Sequence, residues 1–282
     1  MQYLIVLLTS VLSTLKVTFQ GKLVKKEECT LRDSVFYNML IFFVASLIFC
    51  PYLFKINSVT WLYALIYALC NVSFQIIYAL ALSKGNVSLA VMFANFGMVI
   101  PILVSFLLFN ERPSIIRIVG IMLIVIAFFF TFKKGRKEKK SYVILVLLAM
   151  LLNGLGLVTQ RLYARLGVQD NIFSFVSASY ILSAFICGVI FTILKGKDKK
   201  INKITAKTIG FSSIAGVALG CFLALNTYAG KFLDASFHYP AHSGCTILLS
   251  TLSGFILFKD KVSIRQVIAC IVGGIAIVLM NF

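Results

Sequence analysis

Long apolar runs alternate with short polar breaks along this chain. The runs are about 18 to 25 residues long, which is what a helix needs to cross ~30 Å of hydrocarbon. They predict ten helices, at 2–21, 35–54, 60–83, 87–109, 115–132, 142–163, 172–194, 208–230, 236–258 and 264–281. Helices are required because backbone exposed to lipid must satisfy its own hydrogen bonds. The breaks Lys84-Gly-Asn86 and Asn110-Glu-Arg-Pro113 read as tight helical-hairpin turns. The acidic residues Glu27, Glu28, Asp33, Glu111, Glu138, Asp170, Asp198, Asp234 and Asp260 all fall in breaks. The pattern therefore predicts an all-α integral membrane protein with no carboxylate in the membrane interior.

Composition agrees with this reading. The 282 residues are 60% hydrophobic and only 13% charged, with a mean hydropathy of +0.99. Soluble domains carry about a quarter charged residues. The net charge of +18 gathers in a few loops rather than a groove or tail, which argues against nucleic acid and for topology signals and anionic headgroups. Of the 27 Lys and Arg residues, only Lys55, Arg112, Arg117, Arg161, Arg165 and Lys231 lie in the breaks after even-numbered segments or in the segment ends that flank them. Lys16 lies inside a segment, and the others follow odd-numbered ones. The positive-inside rule then places both termini outside the cytoplasm in a multi-pass cell-membrane protein. The start, Met1-Gln-Tyr-Leu-Ile-Val-Leu-Leu, has no basic leader and reads as a retained first span. Six of the seven cysteines lie in apolar segments, without metal-ligand spacing, and read as packing residues.

The chain is also written twice. At an offset of 149, Phe106, Phe109, Glu111 and Ser114 meet Phe255, Phe258, Asp260 and Ser263. At 140, Leu7, Leu8, Leu12 and Gln20 meet Leu147, Leu148, Leu152 and Gln160, and at 150, Tyr78 and Ala79 meet Tyr228 and Ala229. This divides the chain into a first five-helix repeat at 1–133, a basic linker at 134–141 and a second repeat at 142–282. Five spans per repeat force the second copy to enter the membrane inverted, a plan that recurs in secondary transporters.

Each repeat ends in an apolar helix, Phe-x-x-Phe, an acid in a tight turn and a Gly-containing apolar helix. In this the chain resembles the EamA-like family of the drug/metabolite transporter superfamily. The stretch Tyr239-Pro-Ala-His-Ser-Gly244 is also similar to the Tyr-x-x-Trp-Ser-Gly pattern of the small multidrug resistance family. The resemblance implies a central cavity lined by spans 1, 3, 4, 6, 8 and 9, with spans 5 and 10 peripheral. It also implies a difference: proton-coupled small multidrug transporters carry a glutamate in span 1, and this chain has none.

Polar residues within the spans are the candidate substrate contacts. Span 1 carries Thr9, Ser13, Lys16 and Gln20 on one helical face, and at offset 140 span 6 repeats the stripe as Ala149, Asn153, Gly156 and Gln160. Two such faces across a pseudo-two-fold axis would form a polar cleft with one cation; the alternative is helix–helix glue. Lys16 is an ionisable group within a span, which suggests solute or ion contact, but it lies close enough to the span end to snorkel. Span 3 adds Asn71, Gln75 and Tyr78; span 4 adds Asn95 and Pro101; span 8 adds Asn226, with Tyr228 on another face. Span 9 places His238 and His242 four apart, with His242 the stronger candidate. Gly216 and Gly220 read as a contact within the monomer, Ala269 and Gly273 as packing or self-association. Glu111 and Asp260 are expected to cap helices and to pair with Arg112 or Lys261.

These readings converge on a secondary transporter of a small anionic or zwitterionic solute, such as an amino acid or organic acid, working by alternating access. The competing readings are a lipid or lipid-linked-sugar flippase and an intramembrane hydrolase with a serine (such as Ser243) or cysteine nucleophile beside His242. The hydrolase is weakened by the absence of acids and His/Cys clusters in the spans. No catalytic residue, metal or cofactor is expected, and coupling to a proton or ion gradient stays open. Membrane lipids are the expected surroundings, and a monomer suffices to enclose a cleft.

Overall fold

The computed structural model describes residues 2–24, 30–54, 56–84, 94–130, 140–166, 171–194 and 205–258, with isolated helical positions at 268, 271–272, 275–276 and 279. These residues form helices and no strand. The helices are α1 (Gln2–Val24), α2 (Leu31–Leu47), α3 (Ser58–Lys84), α4 (Val99–Phe109), α5 (Ile115–Phe130), α6 (Lys140–Arg165), α7 (Ile172–Ile193), α8 (Ala206–Ala229) and α9 (Ala235–Phe258). Five of them contain stretches long and apolar enough to cross a membrane: Tyr3–Leu23, Ser58–Ala81, Lys140–Arg165, Ile172–Ile193 and Ala206–Ala229. The turn at Lys84-Gly-Asn86 and the pair Ala269/Gly273 lie outside the described residues, as does the carboxylate Asp260.

Several element boundaries differ from the hydropathy pattern, three of them for a clear local reason. The second helix starts at Leu31, four residues early, because Thr30 and Asp33 form a capping box: the Thr30 backbone N–H donates to Asp33 Oδ2 at 3.1 Å and the Asp33 N–H donates to Thr30 Oγ1 at 3.2 Å. Arg32 and Asp33 are therefore helical and buried rather than loop charges. That helix stops at Leu47 and a 3₁₀ turn, Cys50–Phe54, finishes the segment at Pro51. The fourth segment is interrupted at Gly97–Met98. Pro101 has no N–H for the Gly97 carbonyl, which accepts from Ile100 N at 3.2 Å instead.

The most extensive packing pairs are α1 with α8 and α3 with α6, followed by α2 with α7, α3 with α7 and α2 with α8. Helix α1 also packs on α9, and α4 on α6. One buried cluster joins α2, α3, α6, α7 and α8 through aromatic rings, with Tyr163–Phe175 centroids 4.3 Å apart and Phe42–Tyr180 5.7 Å apart. A second joins α1, α4 and α9 around Met98, Phe237 and Tyr239. Small residues allow the closest approaches. A Cβ on Gly97 would lie 2.9 Å from the Met150 carbonyl oxygen, and one on Gly216 would lie 2.7 Å from that of Ile41. Gly216 and Gly220 thus serve the α2–α8 contact inside the chain. Large apolar side chains such as Leu4, Leu107, Ile115, Phe185 and Ile193 point outward, which suits lipid as the surrounding solvent.

Candidate functional site

Four helix ends meet where Glu111 sits, and their unsatisfied backbone groups set the local chemistry. Asn110 ends α4 in the left-handed region, φ 54°. This turns Glu111 beneath the adjoining α8–α9 loop. One Glu111 oxygen accepts the N–H of Ala235, the first residue of α9, at 2.8 Å. The other is shared by Arg161 Nη2 and Arg165 Nη2, the latter at 2.8 Å. Arg161 is fully buried and Glu111 is 10% exposed. Arg161 also donates through Nη1 to the carbonyls of Gly230 and Leu233, each at 2.7 Å, and through Nε to Ser105 Oγ at 3.2 Å. Those carbonyls lie just beyond the C-terminal end of α8, where helical partners run out. The planar guanidinium spreads over four acceptors in a way that a lysine cannot. Nearer the surface, Arg117 pairs with Asp234 at 2.7 Å.

The expected partner of Glu111 is therefore corrected: the carboxylate binds Arg161 and Arg165, while Arg112 is exposed. Glu111 follows its helix in sequence, but the α8–α9 loop folds over it.

One turn deeper, Gln160 and Asn226 form a second polar cluster. Asn226 Nδ2 donates to Gln160 Oε1 at 3.0 Å, and Gln160 Nε2 donates to Thr227 Oγ1 at 2.9 Å. This ties α6 to α8. Asn226 Oδ1 remains buried without a hydrogen-bond partner. Tyr228, on the same helix, is exposed. Across the bundle, His242 Nδ1 lies 3.3 Å from Thr9 Oγ1 and 3.2 Å from Ser10 Oγ. Both hydroxyls also reach the Val6 carbonyl, so we assign the proton to Nδ1 and leave Nε2 as an acceptor. His238 is fully buried, stacks on Tyr239 at 4.9 Å and has neither ring nitrogen partnered.

The remaining sequence candidates divide between packing and open positions. Asn153 donates to the Ala94 carbonyl at 2.7 Å, joining α6 to the short turn before α4. Gln20 donates to Asn38 Oδ1 at 2.8 Å, joining α1 to α2. Tyr78 stacks on Phe74 at 5.3 Å and packs near Tyr142 and Val146. The Asn95 carbonyl accepts Met98 N at 3.1 Å, and Gln75 is buried. Ser13 and Lys16 are half-buried on α1, and among the described residues Lys16 makes no ion pair. The Asn71 Nδ2 is buried with no hydrogen-bond partner. No group of three or more metal-ligating side chains occurs among the described residues.

A family model matches residues 1–133, that of the EamA-like transporter family. Over those residues, just under half of the chain, it is similar to that family. The described residues include five helices long and apolar enough to cross a membrane, as a transporter of that family requires. One solved structure, described only as a crystal structure of a protein, superposes with a TM-score of 0.78 at 13% identity, covering 99% of this chain and 95% of that one. The likeness is one of fold. No curated protein matches.

The pattern of polar residues missed three things. Ser10, Thr14 and Thr18 form a buried hydroxyl row on α1, running toward His242 and Ser253. Asn38 partners Gln20. Arg161 was grouped with loop charges, although its place four residues before Arg165 puts both on one helical face. That spacing beside the repeated acidic turn was the available signal.

Proposed function

We propose that the chain is a secondary transporter of a small anionic or zwitterionic solute, with ten spans arranged as two inverted five-helix halves that exchange conformations. The observation that carries this is the helix packing. Exchanging the halves, which adds five to the helix numbers of the first and subtracts five from those of the second, turns the α1–α8 pair into α6–α3, α2–α8 into α7–α3 and α1–α9 into α6–α4, and all six pairs occur. A two-fold relation between inverted halves requires that exchange, and it gives two states of similar energy that open to opposite sides.

The solute class follows from which charges are already used. Arg161 and Arg165 are committed to Glu111. Lys16 is half-buried with no acidic partner among the described residues, so it is the cation available to a carboxylate or phosphate. The Asn71 amide nitrogen and the Asn226 amide oxygen are buried without partners. Leaving such groups dry and unpaired costs about 1–3 kcal/mol each, so a polar solute or water bound there offsets the cost. The lateral groove beside α2 and α7 is lined by Met39, Phe185, Gly188, Val189, Phe191 and Thr192. A lining so nearly apolar suits an acyl chain and gives a headgroup no path, which speaks against the flippase reading at that groove.

The test is proteoliposome uptake of amino acids, organic anions and organic cations, with and without a pH gradient. Anions or zwitterions are expected as the best solutes. Lys16→Gln is expected to lower their uptake at least about tenfold, the loss of ~1.4 kcal/mol of differential binding. Quaternary cations as the preferred solutes would overturn the assignment.

A further inference from the structure

We propose that the buried Glu111–Arg161–Arg165 cluster is a gate, which holds the cleft shut at the end of the bundle where the α4–α5 and α8–α9 loops meet. The inference rests on the transporter reading and adds which residues close one side. Three observations place the gate there. First, the cluster bridges the two halves of the chain. Glu111 and Ser105 belong to the first half, whereas Arg161, Arg165, Gly230, Leu233 and Ala235 belong to the second. Second, the bonds are charge-assisted and most of their atoms are out of water, which makes them strong while formed and gives them discrete made and broken states. Third, the opposite end is built differently at the two matched positions among the described residues, Gln20 and Gly21. Gln160 crosses from α6 to α8 and is 2% exposed, but Gln20, its match at offset 140, turns to Asn38 of the neighbouring α2 and is only partly buried. Where Arg161 stands, offset 140 places Gly21, which has no atom within 4 Å of an added Cβ. Among the described residues, the Glu111 end thus carries a charged cross-link between the halves, and residues 20–21 carry none.

Two arginines share one carboxylate, so Glu111 is the member whose charge holds the others. Removing that charge leaves Arg161 facing carbonyls alone and sets it against Arg165. The closed arrangement loses stability, and an open one that hydrates both arginines gains relative to it.

The experiment is a distance measurement between spin labels, carried on non-canonical amino acids at Arg112 and Lys231, in the full chain in lipid nanodiscs. Both positions are exposed, one on each loop, and this labelling leaves the seven native cysteines alone. The parent protein is expected to give a predominantly short distance. Glu111→Gln is expected to raise the ratio of long to short distances by at least about tenfold, because a contact made in one of two states shifts their populations by its differential free energy. Arg165→Gln, at a side chain one-quarter exposed, is expected to shift it in the same direction by less. It keeps the test decisive if Glu111→Gln does not fold. Arg117→Gln breaks only the surface pair and is expected to leave the distribution in place. Distributions for Glu111→Gln or Arg165→Gln that superpose on the parent would overturn the gate, as would an equal shift with Arg117→Gln. None of these readouts uses transport. A failed solute panel therefore sinks the functional reading without touching this result, and superposed distributions sink the gate while leaving transport standing.

Discussion

Arg161 shows how a single residue's role depends on what surrounds it. A guanidinium at the C-terminal end of a helix is favoured by the macrodipole, but here it is also fully removed from solvent. Its charge is tolerable only because Glu111 and three further acceptors face it. Removing one partner of a buried pair typically costs about 3–5 kcal/mol, far more than the pair itself contributes. Glu111→Ala is therefore expected to lower the midpoint of unfolding in mixed detergent by that order, while Arg117→Ala at the exposed pair stays within about 1 kcal/mol. Gln160→Leu is a milder case. It strands Asn226 and Thr227, yet hydrogen bonds between membrane helices average only ~0.6 kcal/mol, so a loss near 1 kcal/mol is expected in the same assay. A loss of several kcal/mol would mean that the Gln160 cluster carries the α6–α8 contact.

At the scale of elements, packing is decided by the smallest side chains. Gly216 meets the Ile41 carbonyl oxygen and Val44 of α2, whereas Gly210, two turns earlier on α8, has nothing within 4 Å of an added Cβ. The two glycines look alike in the sequence. Gly216→Ala is expected to push α2 and α8 apart at a cost of about 1–3 kcal/mol. Gly210→Ala is expected to be neutral or to stabilise by up to about 1 kcal/mol through helix propensity. Equal effects on the unfolding midpoint would contradict the packing described here. Helix starts follow local rules as well. Thr30→Ala removes the α2 cap and is expected to cost about 1 kcal/mol, visible as faster amide exchange over residues 31–34. Such caps were legible in principle, since Thr30 and Asp33 have the right spacing, but hydropathy alone began this helix late. The interruption at Gly97–Met98 was half legible: Pro101 announced a disturbance but not the residue at which the chain would turn.

For the molecule as a whole, the sequence by itself determined the class: an all-helical chain with helices long and apolar enough to cross a membrane. Lipid makes this possible, because it demands long apolar runs and self-satisfied backbone, and both requirements are local. Partnership among polar side chains was decided only by the tertiary structure. A stripe such as Ser13, Lys16 and Gln20 defines a face, but helical periodicity does not say whether that face meets a cleft or another helix. The fold gave Gln20 to Asn38, Gln160 to Asn226 and Asn153 to the Ala94 carbonyl, and left Lys16 without a described acidic partner. Glu111 and Arg161, 50 residues apart in sequence, meet because four helix ends converge. Hydrogen bonds and ion pairs require matched atoms within about 3 Å, and distances across the chain are set by packing rather than by sequence spacing.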